Sequence, residues 1–439
     1  YNPEANHDDG SCEYLGNYSL SFDGEFDYVS LGGTHVNRPC TVEMWVKRRD
    51  NPGFQILLDQ SNNFSLRLEQ WNAGKKVGYS KASSYDAHFN YIAPLEEWVH
   101  LAVVTTSVEG QTDSTKLFVN GAYHSKHDNV NFKVPLTTIG KNSGTNTLNA
   151  SLDELRVWSV ARTEAQIADN MWVDLDGNET GLEAYYKMND GTDTTLTDHS
   201  ANANHHGTIY GPSWSADVPL AMTISAAEVV DGFTSNDATL TLTFTSSGAT
   251  TDFVEDDITV SNGALSSFSP TSSTVYTAIF TPNAEGAATI DVAAGSFTDG
   301  AGNNNFAAVQ FNWSYDPDAP FGTGSEADPY QIATLDDLNW ITQNSGQWNA
   351  YYIQTVDIDA SSTSGWDSGS GFTPIGNGTT KFTGLYDGGG FTISGLTINR
   401  PTTNQIALFG WTTNGATIQD LGLTNVSITG LDNVGAFVG

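Results

Sequence analysis

From residue 15 to about 216 the chain alternates short apolar runs with turns. YSLSFDGEFDYVSL, TVEMWVKR, FSLRLEQW, WVHLAVVTT, TKLFVNGAY and LDELRVWSV each show period-two alternation or a compact apolar run closed by Gly, Asn or Asp. Side chains on a strand point to alternate faces, so these runs predict strands with one or both faces buried. About a dozen such strands with one short helix predict a two-sheet jelly roll rather than an open sheet. The helix signal follows the stretch 151–162, SLDELRVWSVAR. There Leu152, Leu155, Val157 and Trp158 suit a sandwich core, and Asp153 and Glu154 are expected near the start of the strand. Thr163-Glu164-Ala165-Gln166 then has the spacing of a capping box. Trp45, Trp98 and Trp158 fall inside strands and read as core.

The rhythm changes twice further on. Residues 221–316 carry about seven strand signals, among them ATLTLTFTS, VYTAIFTPNAEG and AVQFNWSYD. That number and length predict an immunoglobulin-like sandwich. Residues 321–439 open on a Gly-rich turn and a short helical or capping segment. Two similar lines follow, FTGLYDGGGFTISGLTINRP and IALFGWTTNGATIQDLGLTNVSITGLDNVGAFVG. Short Ile/Leu/Val strands between Gly/Asn turns, spaced near 20 residues, predict the start of a parallel β-helix. The expected fold class is all-β: a jelly-roll sandwich, an Ig-like sandwich, then solenoid rungs. A rung buries its strands only against a neighbour, so the final VGAFVG is expected to be covered by further rungs or a partner.

Charge narrows the partners. The 439 residues hold 17 Lys and Arg against 51 Asp and Glu, a net charge of −34. A surface of that sign repels phosphate backbones and anionic lipid, which argues against nucleic acid as a partner. No run of 18 apolar residues occurs, so no membrane-inserting helix is expected in this segment. Carboxylates gathered at strand ends repel one another unless a cation joins them, which makes calcium the expected cofactor. Residues 1–14, YNPEANHDDGSCEY, form an acidic turn in which Asp8 and Asp9 are candidate ligands. Asp299 and Asn303, in the turn DGAGN, are candidates for a calcium at a domain joint, with Asp256, Asp257 and Asp316 nearby in the same reading. Cys12 lies in a polar loop and Cys40 opens an apolar strand. A bridge between them and a pair of unlinked thiols both remain open.

LSFDGEFDYVSL, TVEMWVK, EWVHLAVV, KLFVNG and SLDELRVWSVART, read together, resemble the laminin-G-like, pentraxin-related branch of the concanavalin A-like sandwiches. GLEAYYKMNDGTDTTLTDHSANANHHGTIYG resembles a further block of that family. The resemblance covers residues 15–216 and implies calcium at a rim of the sandwich, supporting glycan or protein binding. It implies Asp23 of FDG and Asp153 of LDE as ligands, with Asp198 and Asp27 as further candidates. FVEDDITVSNG and VAAGSFTDGAGN resemble bacterial Ig-like repeats of large surface proteins, and the closing lines resemble the GLUG repeat. The opening YNPEANHDDGSCEY resembles short repeats in secreted proteins of Bacteroidota. Both termini are expected to be cut from a longer protein.

No HExxH, GxSxG or CxxC motif occurs. Glucanases of the same sandwich class need two carboxylates flanking a sugar bond. Here SLDELRVW lacks a second glutamate on one face and Glu43 stands alone, so the chain is expected not to be an enzyme. The leading expectation is an extracellular, calcium-dependent adhesin segment that binds a cell-surface glycan or protein. The alternatives are a stalk or filament subunit packing against sister protomers, and a non-catalytic part of a secreted polysaccharide hydrolase.

Overall fold

The computed structural model describes residues 18–439 apart from 61–62, 71–73, 107–113, 129–131, 143, 145, 192–193 and 414. The acidic turn at 1–14, with Asp8, Asp9 and Cys12, lies outside the described residues. Two compact units emerge. The first comprises residues up to 221 with the segments 247–251 and 297–306, and the second comprises 222–246, 252–296 and 307–439.

The first unit is a sandwich of two large antiparallel sheets. One runs in the order Ala122–Asp128, Ser114–Val119, Trp98–Thr105, Cys40–Arg48, Asn149–Trp158, Ser19–Asp23, Ser213–Ser215, and Leu182–Tyr186 also pairs with Asn149–Trp158. The other runs Thr195–Leu196, Gly207–Tyr210, Tyr28–Ser30, Thr138–Ile139, Ile56–Gln60, Phe64–Arg67, Gly78–Lys81, Tyr85–His88. Alternation sends Leu20, Phe22, Val42, Met44, Val46, Leu58, Leu66 and Tyr79 into one core between them. Cys40, a buried free thiol, joins that core, and burial pushes it up to about 12.

The stretch 151–162 departs from the expected geometry in one way. Asp153 and Glu154 sit mid-strand, at a register shift between Asp153 and Arg156, and Glu154 takes φ 51°. This bulge inserts a residue, so Leu152 and Leu155, three apart, both reach the sandwich core. Trp158 goes to the other face and packs with Leu175, Leu182 and Tyr185. Helix Glu164–Asn170 follows with the reciprocal Thr163/Gln166 capping box, and its Ile167 packs on Ala102, Val104 and Phe118.

The second unit begins with two four-stranded sheets around Leu240, Leu242, Phe244, Phe280, Ile290 and Trp313, the Ig-like sandwich. Parallel strands follow. Tyr330 pairs with Tyr352, Tyr352 with Tyr386 and Tyr386 with Ile418, stacking like residues on successive rungs. Ile393 pairs with Leu423 and Ile398 with Ile428, thirty residues on. The solenoid period is therefore nearer 30 residues than the 20 expected. One rung uses three short strands, Leu385–Asp387, Thr392–Ser394 and Thr397–Asn399, and the two similar sequence lines marked pieces of rungs rather than whole ones.

Candidate functional site

The outward face of the sandwich's second sheet carries a continuous polar row. Thr195, Thr208, Ser30, Thr138, Asp59, Ser65, Ser80 and Asp86 are cross-strand partners in turn, one from each of the eight strands. The row exists because FSLRL, GYSK and YDAH alternate: Leu66, Tyr79 and Ala87 fill the core, and Ser65, Arg67, Ser80 and Asp86 must point outward. At the Asp59–Asp86 end the row floors a groove of about 500 Å³, closed by Asn63, Lys81, Tyr85 and Asn142. Ser65 Oγ donates to Asp59 Oδ1 at 2.5 Å, and Ser80 Oγ donates to Asp86 Oδ1 at 2.5 Å. Gln70 Nε2 donates to Ser80 Oγ at 3.0 Å.

Arg67 stands in this groove over the Phe54 ring, 5.0 Å from its centroid. Its Nε and Nη1 are buried and have no hydrogen-bond partner. Burial lowers its pKa against the pull of Asp86 and Asp59, and burial raises that of Asp59 against Ser65 and Arg67. A guanidinium stays charged in proteins, so two desolvated N–H groups here are a cost that a hydrogen-bonding ligand would relieve. Carboxylates, hydroxyls and a planar donor fork on a flat polar floor are groups that pair with vicinal hydroxyls.

The aspartates singled out as metal ligands fall in different places. Asp23 and Asp27 come together in one turn, where Asp23 N donates to Asp27 Oδ2 at 2.9 Å and Glu25 N to Asp23 Oδ1 at 2.8 Å. Burial, followed by the charges of Asp23 and Glu25, raises Asp27. Asp23 pairs with Asn149, whereas Asp153 pairs with Trp45 four residues further along the same strand, about 13 Å away at strand rise. Asp153 is 2% exposed and accepts Glu154 N at 2.9 Å. Burial and the Glu154 charge hold it well above the usual carboxylate range. Asp198 is likewise buried, with Oδ1 accepting Tyr185 N and Ser200 N and Oδ2 accepting His205 N, all at 3.0–3.1 Å. It clamps backbone. Among the described residues no group of three or more His, Cys, Asp or Glu is gathered as a metal would require.

At the expected calcium joint the positive charge comes from a lysine. Lys47 Nζ donates to Asp217 Oδ2 at 2.8 Å and to Asn303 Oδ1 at 2.7 Å. Asn303 Nδ2 donates to Asp217 Oδ1 and to Asp299 Oδ2, both at 2.8 Å. Despite burial, Lys47, Asn303 and Trp98 hold Asp217 below its usual range. Asp299 Oδ1 is further occupied by the N–H groups of Ala301 and Asn303. Asp257 accepts Val254 N, and Asp316 accepts Trp340 Nε1 at 2.6 Å.

The groove itself was missed in the sequence, although its signal was there. FSLRL was read for its apolar positions and YDAH was not singled out, and their polar positions form the floor.

Two family profiles match the chain. Residues 23–168 match the laminin G type of the concanavalin A-like lectin/glucanases superfamily, and residues 217–315 match the bacterial Ig-like domain. Halomucin of Haloquadratum walsbyi is 42% identical over 123 residues, which is 27% of this chain and 1% of that protein. This chain thus spans a very small part of that relative's length. Among solved structures, a protein of Bacteroides ovatus provisionally described as carbohydrate-binding aligns at 21% identity and TM-score 0.38, over 45% of this chain and 59% of its own. Domain 4 of the extracellular arabinanase of Geobacillus stearothermophilus, in complex with arabinotriose, aligns at 20% identity and TM-score 0.27, over 34% of this chain and 75% of its own. Along the chain, then, a match to concanavalin A-like lectin sandwiches precedes a match to bacterial Ig-like domains.

Proposed function

We propose that this chain is an extracellular surface segment that binds glycan on the outward face of its sandwich, in the groove between Asp59 and Asp86. The observation that carries this reading is Arg67, a desolvated cation with two buried unpartnered nitrogens, set in a polar groove of about 500 Å³. Sugar hydroxyls accept from the guanidinium and donate to Asp59 and Asp86, and so relieve both costs at once. The Ig-like and solenoid parts serve as spacer. The family matches to lectin-type and bacterial Ig-like domains support a surface location. No helix among the described residues is long and apolar enough to cross a membrane.

Calcium, in this reading, belongs to the turn of Asp23 and Asp27. Asp23 and Asp27 share one turn with Glu25, and burial first and these acidic neighbours second raise Asp27, a charge that a hard cation would neutralise. Asp198 and Asp299 fit a cation less well because both oxygens of each carboxylate are engaged, and Asp153 because it is buried in mid-strand.

The test is a glycan-array screen of the full chain followed by titration of the best binder. Arg67→Ala and Asp59→Asn are each expected to weaken binding by at least about tenfold, or 1.4 kcal/mol. Equal binding by wild type and both variants would remove the groove from the reading.

A further inference from the structure

Of the chain's 17 Lys and Arg residues, only Lys381 and Arg400 follow Lys187 in the sequence. In a unit otherwise furnished with acids, Arg400 lines one pocket and Lys381 stands over Trp411, a residue of the same pocket wall. A pocket of about 380 Å³ in the parallel-stranded region is lined by Trp348, Pro374, Asn377, Arg400, Gln405 and Trp411. Lys381 Nζ stands 5.0 Å from the centroid of the Trp411 ring. Arg400 Nη2 donates to Asp367 Oδ2 at 3.0 Å and to Thr373 Oγ1 at 3.2 Å, which fixes the guanidinium in the pocket wall. Its Nε is buried and has no partner. Asp367 is mostly exposed, so this ion pair leaves much of the Arg400 charge to act on the pocket.

We propose that this pocket binds a saccharide bearing a carboxylate, as a second glycan site independent of the sandwich groove. Three features select that class. The Arg400 guanidinium, with its unpartnered Nε–H, supplies the positive charge that draws an anion where the rest of the unit repels one, and Lys381 over the Trp411 ring adds to it. Trp411 and Pro374 offer apolar surface to the C–H faces of a sugar ring. Asn377 and Gln405 offer amide groups to its hydroxyls. A neutral sugar would leave Arg400 Nε without a charged partner, and a small inorganic anion would leave the aromatic wall unused.

The test uses the full chain with Arg67→Ala, so that the sandwich groove does not contribute, and titrates oligogalacturonate and its methyl ester by calorimetry. The acid is expected to bind, and the ester at least about tenfold more weakly. Arg400→Gln and Trp411→Ala added to that background should each lose at least about tenfold in affinity for the acid. Asp367→Asn, which frees Arg400 without removing it, should bind the acid as well as the parent or better. The proposal is overturned if the parent does not bind the acid, if acid and ester bind alike, or if Arg400→Gln and Trp411→Ala bind like the parent. Should Arg400→Gln fail to fold, the acid–ester difference and Trp411→Ala decide the matter. Loss of the array-selected glycan on Arg67→Ala with oligogalacturonate binding kept bears on the sandwich groove alone, and the two sites thus fail separately.

Discussion

The two outward faces of the sandwich use the same residue types to opposite ends. On the first sheet, Glu43, Arg156 and Arg162 lie under the helix and the segment that follows it. Glu43 Oε1 accepts Arg162 Nη1 and Trp158 Nε1, both at 2.9 Å. Arg156 reaches Glu154 Oε2 at 2.6 Å and the carbonyls of Asn170 and Val173 at 2.7 Å. Tyr185 adds its hydroxyl to Glu154 at 2.6 Å. Every guanidinium there is spent on the fold. On the second sheet Asp59, Arg67 and Asp86 face an open groove, and Arg67 keeps two nitrogens unpaired. Identical alternation along a strand fixes which residues leave the core, but not whether something covers them. A charge whose hydrogen bonds are all made has become structure, whereas one that borders a groove with donors unpaired is the better candidate for a ligand.

The contrast is broken most strongly by Glu43→Ala. It leaves Arg162 buried without its carboxylate, and chemical denaturation should show a loss of about 3–5 kcal/mol. Glycan binding by the folded fraction should be unchanged. Arg67→Ala should do the reverse, abolishing binding while costing only about 1–2 kcal/mol, because it removes the charge that offsets the burial of Asp59 but breaks no hydrogen bond at Nε or Nη1. If both variants destabilise alike, the two faces are not different in kind.

The middle-sized effect is a pH dependence. Asp153, beside Glu154, is held well above its ordinary value of 3.8 by burial and by that neighbour. Between 3.8 and the raised value the folded protein keeps a proton that the unfolded chain has released. Stability contributed by this site is therefore greatest in acid and falls as pH rises through that window. Asp153→Asn, which cannot ionise, should flatten the slope and raise the melting temperature near neutrality. An unchanged slope of melting temperature against pH would show that Arg156 keeps Asp153 ionised throughout.

How much of this was legible beforehand follows from the same contrast. The jelly roll, the capped helix at Thr163 and the parallel stacking of the last third follow from periodicity and local capping, which are properties of neighbouring residues. The roles of Asp153 and Glu154 did not, because the bulge that buries them depends on the pairing of Asp153 with Trp45, more than a hundred residues away. The solenoid period was misjudged because three short strands share one rung, and sequence similarity between strands was taken for similarity between rungs. The polar row on the second sheet was written in FSLRL, GYSK and YDAH, but eight separate strands had to be set in register before it became a surface. Lys47 was invisible as the cation of the Asp217–Asn303 corner, since those residues lie 170 and 256 positions from it.

The smallest expected effect concerns the turn of Asp23 and Asp27. It is exposed at Asp23 and buried at Asp27, and two carboxylates in one turn would make at most a weak site for a hard cation. If calcium binds there, saturating metal should raise the melting temperature by a few degrees, since a ligand at about 100 times its Kd contributes about 2.7 kcal/mol. Asp27→Asn should erase that increment by removing one ligand. In the absence of metal the same variant should be slightly more stable than wild type, because it removes a charge that burial and then the neighbouring acids disfavour. This opposite sign with and without chelator separates a cation site from an ordinary turn, in which Asp27→Asn would shift both melting curves alike. Glycan binding sharpens the outcome further. The Asp59–Asp86 groove draws its donors from Arg67 and not from a metal, so chelator should leave its affinity within about twofold, and a larger loss would tie the groove to the calcium turn.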